Sequence, residues 1–168
     1  MRSFPISQYH LIRGEVSTHA DSYQDFKKNS GQIYDLERRI FTVNECFSRS
    51  QLLYLVSSPN ASLFLLRDNS SSVGFGVALR NKLRYGKYKG RIYSIGTLPR
   101  YRHTGAGKFL LEAMEKYLIK SKVSFIVLET LKGKGGAEHF FAKHGYLKSK
   151  FLRDYYPYGD AMRMKKVL

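Results

Sequence analysis

A mixed α/β sheet with helices on its faces is the fold that this sequence predicts, and three observations predict it. Two short apolar runs, Ser62 to Arg67 and Val73 to Arg80, flank the turn-forming cluster Asp68 to Ser72, which is the pattern of a β-hairpin. Further on, segments with the apolar spacing of a strand, a helix, a second strand and a second helix follow one another. Two closing strand-like runs, Tyr146 to Leu152 and Ala161 to Val167, flank the turn signal Tyr155-Tyr156-Pro157-Tyr158-Gly159-Asp160.

Taken in order, Tyr9 to Val16 reads as an opening strand. Between Ser22 and Phe41 the residues Ile33, Leu36, Ile40 and Phe41 recur at helical spacing. Ser48 then stands as an N-cap before Arg49 to Ser57, where Leu52, Leu53 and Val56 form an apolar face. Ser58-Pro59-Asn60 ends that helix, and the hairpin follows. Asn81 to Gly90 reads as a basic loop, and Arg91 to Leu98, rich in Ile, Tyr and Thr, as a strand stopped by Pro99. Lys108 to Lys120 carries Phe109, Leu110, Ala113, Met114, Tyr117 and Leu118 on one face, the strongest helical pattern in the chain. Ser124 to Leu128 has the short apolar run of a strand buried on both faces, and Ala137 to Lys143 reads as a short helix closed by Gly145.

The chain has 168 residues, 43% of them hydrophobic and 14% aromatic, which suits one folded unit spanning residues 1–168 and excludes a disordered polymer. No repeat or Pro/Gly-rich linker divides it. No apolar run reaches the ~18 residues of a membrane span, and Met1 to Gly14 lacks the apolar core of a secretory signal, so the expectation is a mature chain equal to the whole. A single cysteine, Cys46, cannot make an internal disulfide, which fits a cytoplasmic location. The net charge is +16 and unevenly placed: residues 1–79 hold 8 Lys/Arg against 7 Asp/Glu, residues 80–168 hold 21 against 6. Such a field draws polyanions, whether RNA, an acidic membrane or a ligand with several phosphates.

The segment Arg102-His103-Thr104-Gly105-Ala106-Gly107-Lys108 joins a strand to the best helix. Its glycines allow close backbone approach, the helix start offers unpaired N–H groups and a positive dipole end, and Arg102 and Lys108 add charge at both ends. That is the construction of a pyrophosphate cradle. Neither the Gly-x-Gly-x-x-Gly of dinucleotide folds nor a Walker loop is present. His103, His139 and His144 are not spaced as zinc ligands, no metal is expected, and no Ser-His-Asp or Cys-His nucleophile pattern stands out.

Arg-x-x-Gly-x-Gly after a strand ending Leu98-Pro99-Arg100-Tyr101, followed by Leu110-Leu111, resembles the coenzyme A loop of the GNAT superfamily of N-acetyltransferases. The hairpin before it, Leu128-Glu129, the segment Ala137 to Tyr146, and Asp154-Tyr155-Tyr156 to Asp160-Ala161-Met162-Arg163-Met164 stand in that family's order. The resemblance covers about residues 30 to 168. Its closing elements look most like the subgroup that acetylates protein N-termini, ribosomal-protein alanine acetyltransferases included. It implies a mostly antiparallel sheet with a cofactor cleft between two central strands, and acetyl-CoA as cosubstrate. By the same resemblance, Thr97 and Leu98 pair with the pantetheine arm, and the N–H groups of His103, Thr104, Gly105, Ala106, Gly107 and Lys108 hold the pyrophosphate. Glu129, read as the end of its strand, matches the position of a general base. Phe141 stands where many relatives have the tyrosine that protonates the departing thiolate, leaving Tyr155, Tyr156 or Tyr158 as substitutes; Lys134 replaces a frequent asparagine.

The expected activity is direct attack of a primary amine on acetyl-CoA in a ternary complex. A basic half-chain repels polycationic acceptors, so a protein N-terminus is favoured, with a small-molecule amine as the alternative. A second alternative is an RNA- or ribosome-binding module without turnover. It rests on Arg80, Lys82, Arg84, Lys87, Lys89 and Arg91 interleaved with Tyr85 and Tyr88, whose blander reading is a basic loop at the mouth of the site.

Overall fold

The computed structural model describes residues 9–15, 31–68, 71–133 and 135–168. Its strands are β1 (Tyr9–Glu15), β2 (Ala61–Asp68), β3 (Ser71–Lys82), β4 (Tyr88–Thr97), β5 (Phe125–Leu131), β6 (Leu147–Tyr156) and β7 (Gly159–Val167). Its helices are α1 (residues 31–40), α2 (Arg49–Ser57), α3 (Ala106–Lys120) and α4 (Gly135–Lys143). The strands form one seven-stranded sheet in the order β1-β2-β3-β4-β5-β7-β6. Every neighbouring pair is antiparallel except β4 and β5, which are parallel. The mixed, mostly antiparallel sheet expected from the sequence is present.

Local chemistry accounts for the helix starts. The Ser48 hydroxyl accepts from the Gln51 N–H at 3.2 Å while the Gln51 side chain accepts from the Ser48 N–H at 2.8 Å, a reciprocal cap on α2. In α3 the buried stripe is Ala106, Leu110, Leu111, Met114 and Leu118, with Phe109 and Tyr117 at its margins. This stripe covers the sheet closely: a Cβ at Gly90 of β4 would lie 2.9 Å from Leu118 of α3. A Cβ at Gly96, on the same strand, would instead collide with Ile40 and Phe41 at the end of α1. The two helices therefore lie on opposite faces, and the switch of face along β4 follows from a register shift in which Val77 pairs with Ser94 but Ala78 with Ile92. Tyr93 is the extra residue of that bulge.

Several boundaries differ from those read in the sequence. The basic segment Asn81 to Gly90 is half strand: β3 runs to Lys82, β4 begins at Tyr88, and the turn over residues 83–87 is closed by the Leu83 N–H to the Lys87 carbonyl at 2.7 Å. Cross-strand pairing extends strands whose composition reads as loop. Glu129 is not a strand end, because β5 continues to Leu131 with Glu129 paired in register to Arg163. The closing turn shrinks to Pro157 and Tyr158, since β6 and β7 take up the flanking tyrosines and Gly159. Val16, the Ser22 to Ser30 part of the first expected helix, the centre of the Asp68 to Ser72 cluster at Asn69-Ser70, and Lys134 lie outside the described residues. No described helix is long and apolar enough to cross a membrane.

Candidate functional site

β4 and β5 pair only at Gly90 with Ile126 and Arg91 with Val127, and beyond those rungs the two strands separate. The far edge of β4 stays in register with β3. In an antiparallel ladder the backbone of alternate residues points to the partner. The Leu98 N–H donates to the Val73 carbonyl at 2.8 Å, so Leu98, Gly96 and Ser94 direct their backbone groups to β3. Ile95 and Thr97 therefore aim theirs into the opening beside β5. Of the two residues that the sequence assigns to the pantetheine arm, Thr97 turns its backbone groups to the opening, whereas the Leu98 N–H is engaged by β3 and its carbonyl accepts from Tyr101 at 2.8 Å. Ile95, which the sequence does not single out, faces the opening together with Thr97, and the alternation of the strand about Thr97 is the signal for it.

At the end of β4 the chain turns through Pro99–Tyr101 into the glycine loop. Gly105 adopts φ 94°, ψ −12° at the start of α3, with no side-chain cap and open space on its Cβ side. The left-handed conformation requires glycine there. The first helical bond runs from the Phe109 N–H to the Gly105 carbonyl at 2.9 Å, so the N–H groups of Ala106, Gly107 and Lys108 precede the helical ladder. His103 also has a positive φ, 62°, and is exposed; the Thr104 hydroxyl donates to the Tyr101 carbonyl at 2.7 Å. Of the two cations expected to flank a phosphate, Lys108 is exposed. Arg102 is turned away, its guanidinium donating to the Ile40 carbonyl at 3.0 Å and tying the loop to the end of α1. These residues fit a pyrophosphate through backbone donors and a helix start.

On the face opposite α3, a row of charge crosses the root of the opening. Glu129, its side chain 3% exposed, receives Arg91 Nε at 3.0 Å and Arg163 Nε at 2.8 Å. Both carboxylate oxygens are engaged, and the three residues sum to a single positive charge. Tyr155 accepts through its hydroxyl from the Arg91 guanidinium, and the Tyr156 hydroxyl donates to the Glu129 carbonyl at 3.3 Å. Burial pushes the Tyr156 phenol well above its ordinary value, with the neighbouring Tyr155 and Glu129 adding to the shift. Tyr156 is thus a poor proton donor, whereas the Tyr155 hydroxyl proton is not used by Arg91. The Tyr156 and Tyr158 rings stack at 5.4 Å.

The turn between α1 and α2 faces this row. Phe47 stacks on Tyr93 at 5.5 Å, and the Arg91 guanidinium lies over the same ring at 4.9 Å. The Phe47 N–H donates to Glu37 Oε1 at 3.0 Å. Glu37 is fully buried in α1, its Oε2 has no partner, and burial pushes its carboxyl up to about 7, offset in part by the Phe47 N–H. Cys46 is packed beside it with its thiol raised by burial, which disfavours the nucleophilic thiolate. Phe141 is buried between Phe140 and Tyr146 and brings no proton to the opening. Among the described residues, no cluster of His, Cys, Asp and Glu could hold a metal ion.

The family described as the acetyltransferase (GNAT) family matches residues 31–146. Among solved structures, the chain is similar to the ribosomal-protein-S18-alanine N-acetyltransferase from Escherichia coli, with a TM-score of 0.72 at 19% identity over 95% of this chain and 93% of that one. It is also similar to Arabidopsis thaliana Naa50 in complex with the bisubstrate analogue CoA-Ac-MVNAL, with a TM-score of 0.75 at 20% identity over 96% and 99%. Arabidopsis thaliana NAA60 in complex with acetyl-CoA aligns with a TM-score of 0.75 at 13% identity over 95% and 99%. At such identities these likenesses concern the fold. No curated protein sequence matches the chain significantly.

Proposed function

The chain belongs to the acetyltransferase (GNAT) family, and from that premise we propose that it moves an acetyl group from acetyl-CoA to an α-amine, the N-terminus of a protein or peptide. One observation carries the reading: the opening between β4 and β5 has backbone donors and a helix start at one end and a net-positive row at its root. Acetyl-CoA would lie along β4, its amide arm on Ile95 and Thr97, its pyrophosphate on the N–H groups of Ala106, Gly107 and Lys108. The thioester then comes to rest near Arg91.

The charge of the row selects the amine. A neutral nitrogen is needed for attack, and a net-positive neighbourhood disfavours the ammonium form. An α-amine has an ordinary pKa near 8 and a lysine side chain near 10.4, so at pH 7.4 roughly a quarter of the former but only about a thousandth of the latter is neutral. The site therefore favours α-amines. Attack forms the C–N bond, the C–S bond breaks, the thiolate leaves with CoA, and the amine proton passes to water. Glu129, with both oxygens held by guanidinium groups, is a weak direct base; Oε1 carries one arginine bond and retains a lone pair to order the water that takes the proton. Tyr155 is the phenol best placed to protonate the thiolate. Because a thiol has a pKa near ~8.5, the thiolate leaves without obligatory acid help.

The test uses two peptides of one sequence, one with a free α-amine and an acetylated lysine, the other with the groups reversed. Free thiol released from acetyl-CoA should appear at least tenfold faster with the first. Equal rates would remove the α-amine preference, and no thiol release with either, or across a panel of small amines, would remove the chemistry.

A further inference from the structure

We propose that the end of the molecule remote from the glycine loop, made by the β3–β4 hairpin tip and the C-terminus of α3, is a docking surface for single-stranded RNA. It lies one helix length from Gly105, about 22 Å for the fifteen residues of α3. The sequence has no Asp or Glu between Asp68 and Glu112, so the hairpin carries Arg80, Lys82, Arg84, Lys87 and Lys89 with no internal counter-charge.

The hairpin presents these cations in an ordered way. Arg80 and Lys82 alternate along β3 and share the face of α3, about 7 Å apart at ~3.3 Å per residue. Arg80 is fixed twice, by its Nε donating to the Ser121 carbonyl at 2.8 Å and by stacking 3.3 Å above the Tyr88 ring. Beside it, Arg80, Lys120 and Lys122 rim a depression of about 380 Å³ open to solvent. At the tip, Tyr85 is 95% exposed and held in a left-handed conformation, φ 58° and ψ 34°, between Arg84 and Gly86. An aromatic ring presented to solvent among exposed cations is a stacking platform for an unpaired base, while the cations follow the phosphates.

The chemistry favours RNA over an acidic bilayer. Interfacial insertion needs a broad apolar face beneath the cations, and this end offers one exposed ring, a half-buried Leu83 and a lone exposed Ile119 near the end of α3. On the opposite face of β4, Lys89 lies two residues from Arg91, so the basic strip ends at the root of the proposed acceptor site. RNA held on the hairpin would bring a protein bound to that RNA within reach of the opening. The surface does not depend on the proposed acetyl transfer, because none of Arg84, Tyr85 and Lys87 takes part in it.

The experiment measures binding of the full chain to a fluorescent unstructured 20-nucleotide RNA, the matching single-stranded DNA, an RNA duplex, heparin, and phosphatidylcholine vesicles with and without phosphatidylserine. Micromolar or tighter RNA binding is expected, weakening steeply with salt as bound phosphates release counterions. The variant Arg84→Gln/Lys87→Gln should lose at least tenfold in affinity and flatten the salt slope by about 1.4, the share of two phosphates at ~0.7 each. Tyr85→Ala should lose at least about fivefold for the single strands but nothing for heparin, since stacking needs bases. Unfolding temperatures within about 2 °C of the parent would certify that these surface variants are folded. The proposal is overturned if Tyr85→Ala leaves RNA affinity unchanged, if heparin competes as well as RNA at equal charge, if the duplex binds as tightly, or if only phosphatidylserine vesicles bind. Tighter binding to the DNA strand would reassign the surface from RNA to DNA.

Discussion

The two edges of β4 contrast sharply: toward β3 it is paired from Tyr88 to Thr97 with a single bulge, toward β5 it keeps two rungs and opens. The sealed edge belongs to the core, where α3 covers one face and α1 the other. The open edge leaves Ile95 and Thr97 with backbone groups that no strand among the described residues takes. A buried strand edge without a partner is costly, and a cosubstrate arm with its own amides is the kind of ligand that satisfies it. The difference teaches that the proposed cofactor site is an unfinished sheet, with the glycine loop offering an anion grip where the strand ends.

The largest effect is expected from closing that grip. Gly105→Glu puts bulk and negative charge in the pyrophosphate path at a left-handed position that strains any side chain, so its unfolding temperature should drop while it still unfolds cooperatively, and calorimetry should find acetyl-CoA affinity at least a hundredfold weaker; parental affinity would detach the loop from the site. Next comes the row at the root of the opening. Glu129→Gln leaves Arg91 and Arg163 facing each other without a counter-ion, and kcat should fall at least tenfold. If Glu129 holds the row, the deficit persists from pH 6 to 9 in a pH-rate profile. If it is the direct base, the deficit closes at high pH as the amine loses its proton unaided.

A third effect separates the opening from the turn that faces it. Burial pushes the Glu37 carboxyl in the folded chain from its ordinary value of 4.5 up to about 7. The folded state binds the extra proton between these values, so stability falls as pH rises through that window and the loss is complete above 7. Glu37→Gln should flatten the change of Tm between pH 5 and 8, measured by thermal unfolding; an unchanged slope would place the pH sensitivity elsewhere. The smallest effect is Phe141→Tyr. The phenol enters a buried position between Phe140 and Tyr146, and kcat should change less than about threefold because the thiolate leaves readily; a tenfold rise would show that acid catalysis limits the rate.

What the sequence revealed was local. Ser48 as the cap of α2, the stop at Pro99, the stripe of α3 and the glycine loop each depend on residues within a turn or two of one another, and the structure has them in those places. What it concealed was lateral. Arg91, Glu129 and Arg163 meet because three strands are neighbours, at separations of 38 and 34 residues, and no periodicity along the chain reports that. Arg91 therefore reads as one more cation in a basic run and Tyr93 as a β-former in its strand, while Phe47 carries no signal of its own. Glu37 was within reach, since it stands four residues after Ile33 on the same helical stripe as Leu36 and Ile40. Arg102 shows the same limit from the other side: its place beside a glycine loop suggests a phosphate contact, and only the fold reveals that one of its guanidinium nitrogens also ties the loop to the Ile40 carbonyl at the end of α1.

Amide hydrogen exchange with and without acetyl-CoA tests the unfinished-sheet account most directly. It predicts new protection on binding at Ile95, Thr97 and Ala106 to Lys108, with Ser94, Gly96 and Leu98 unchanged because β3 already holds them. Protection at Ser94, Gly96 and Leu98 instead, or no change along β4, would contradict it.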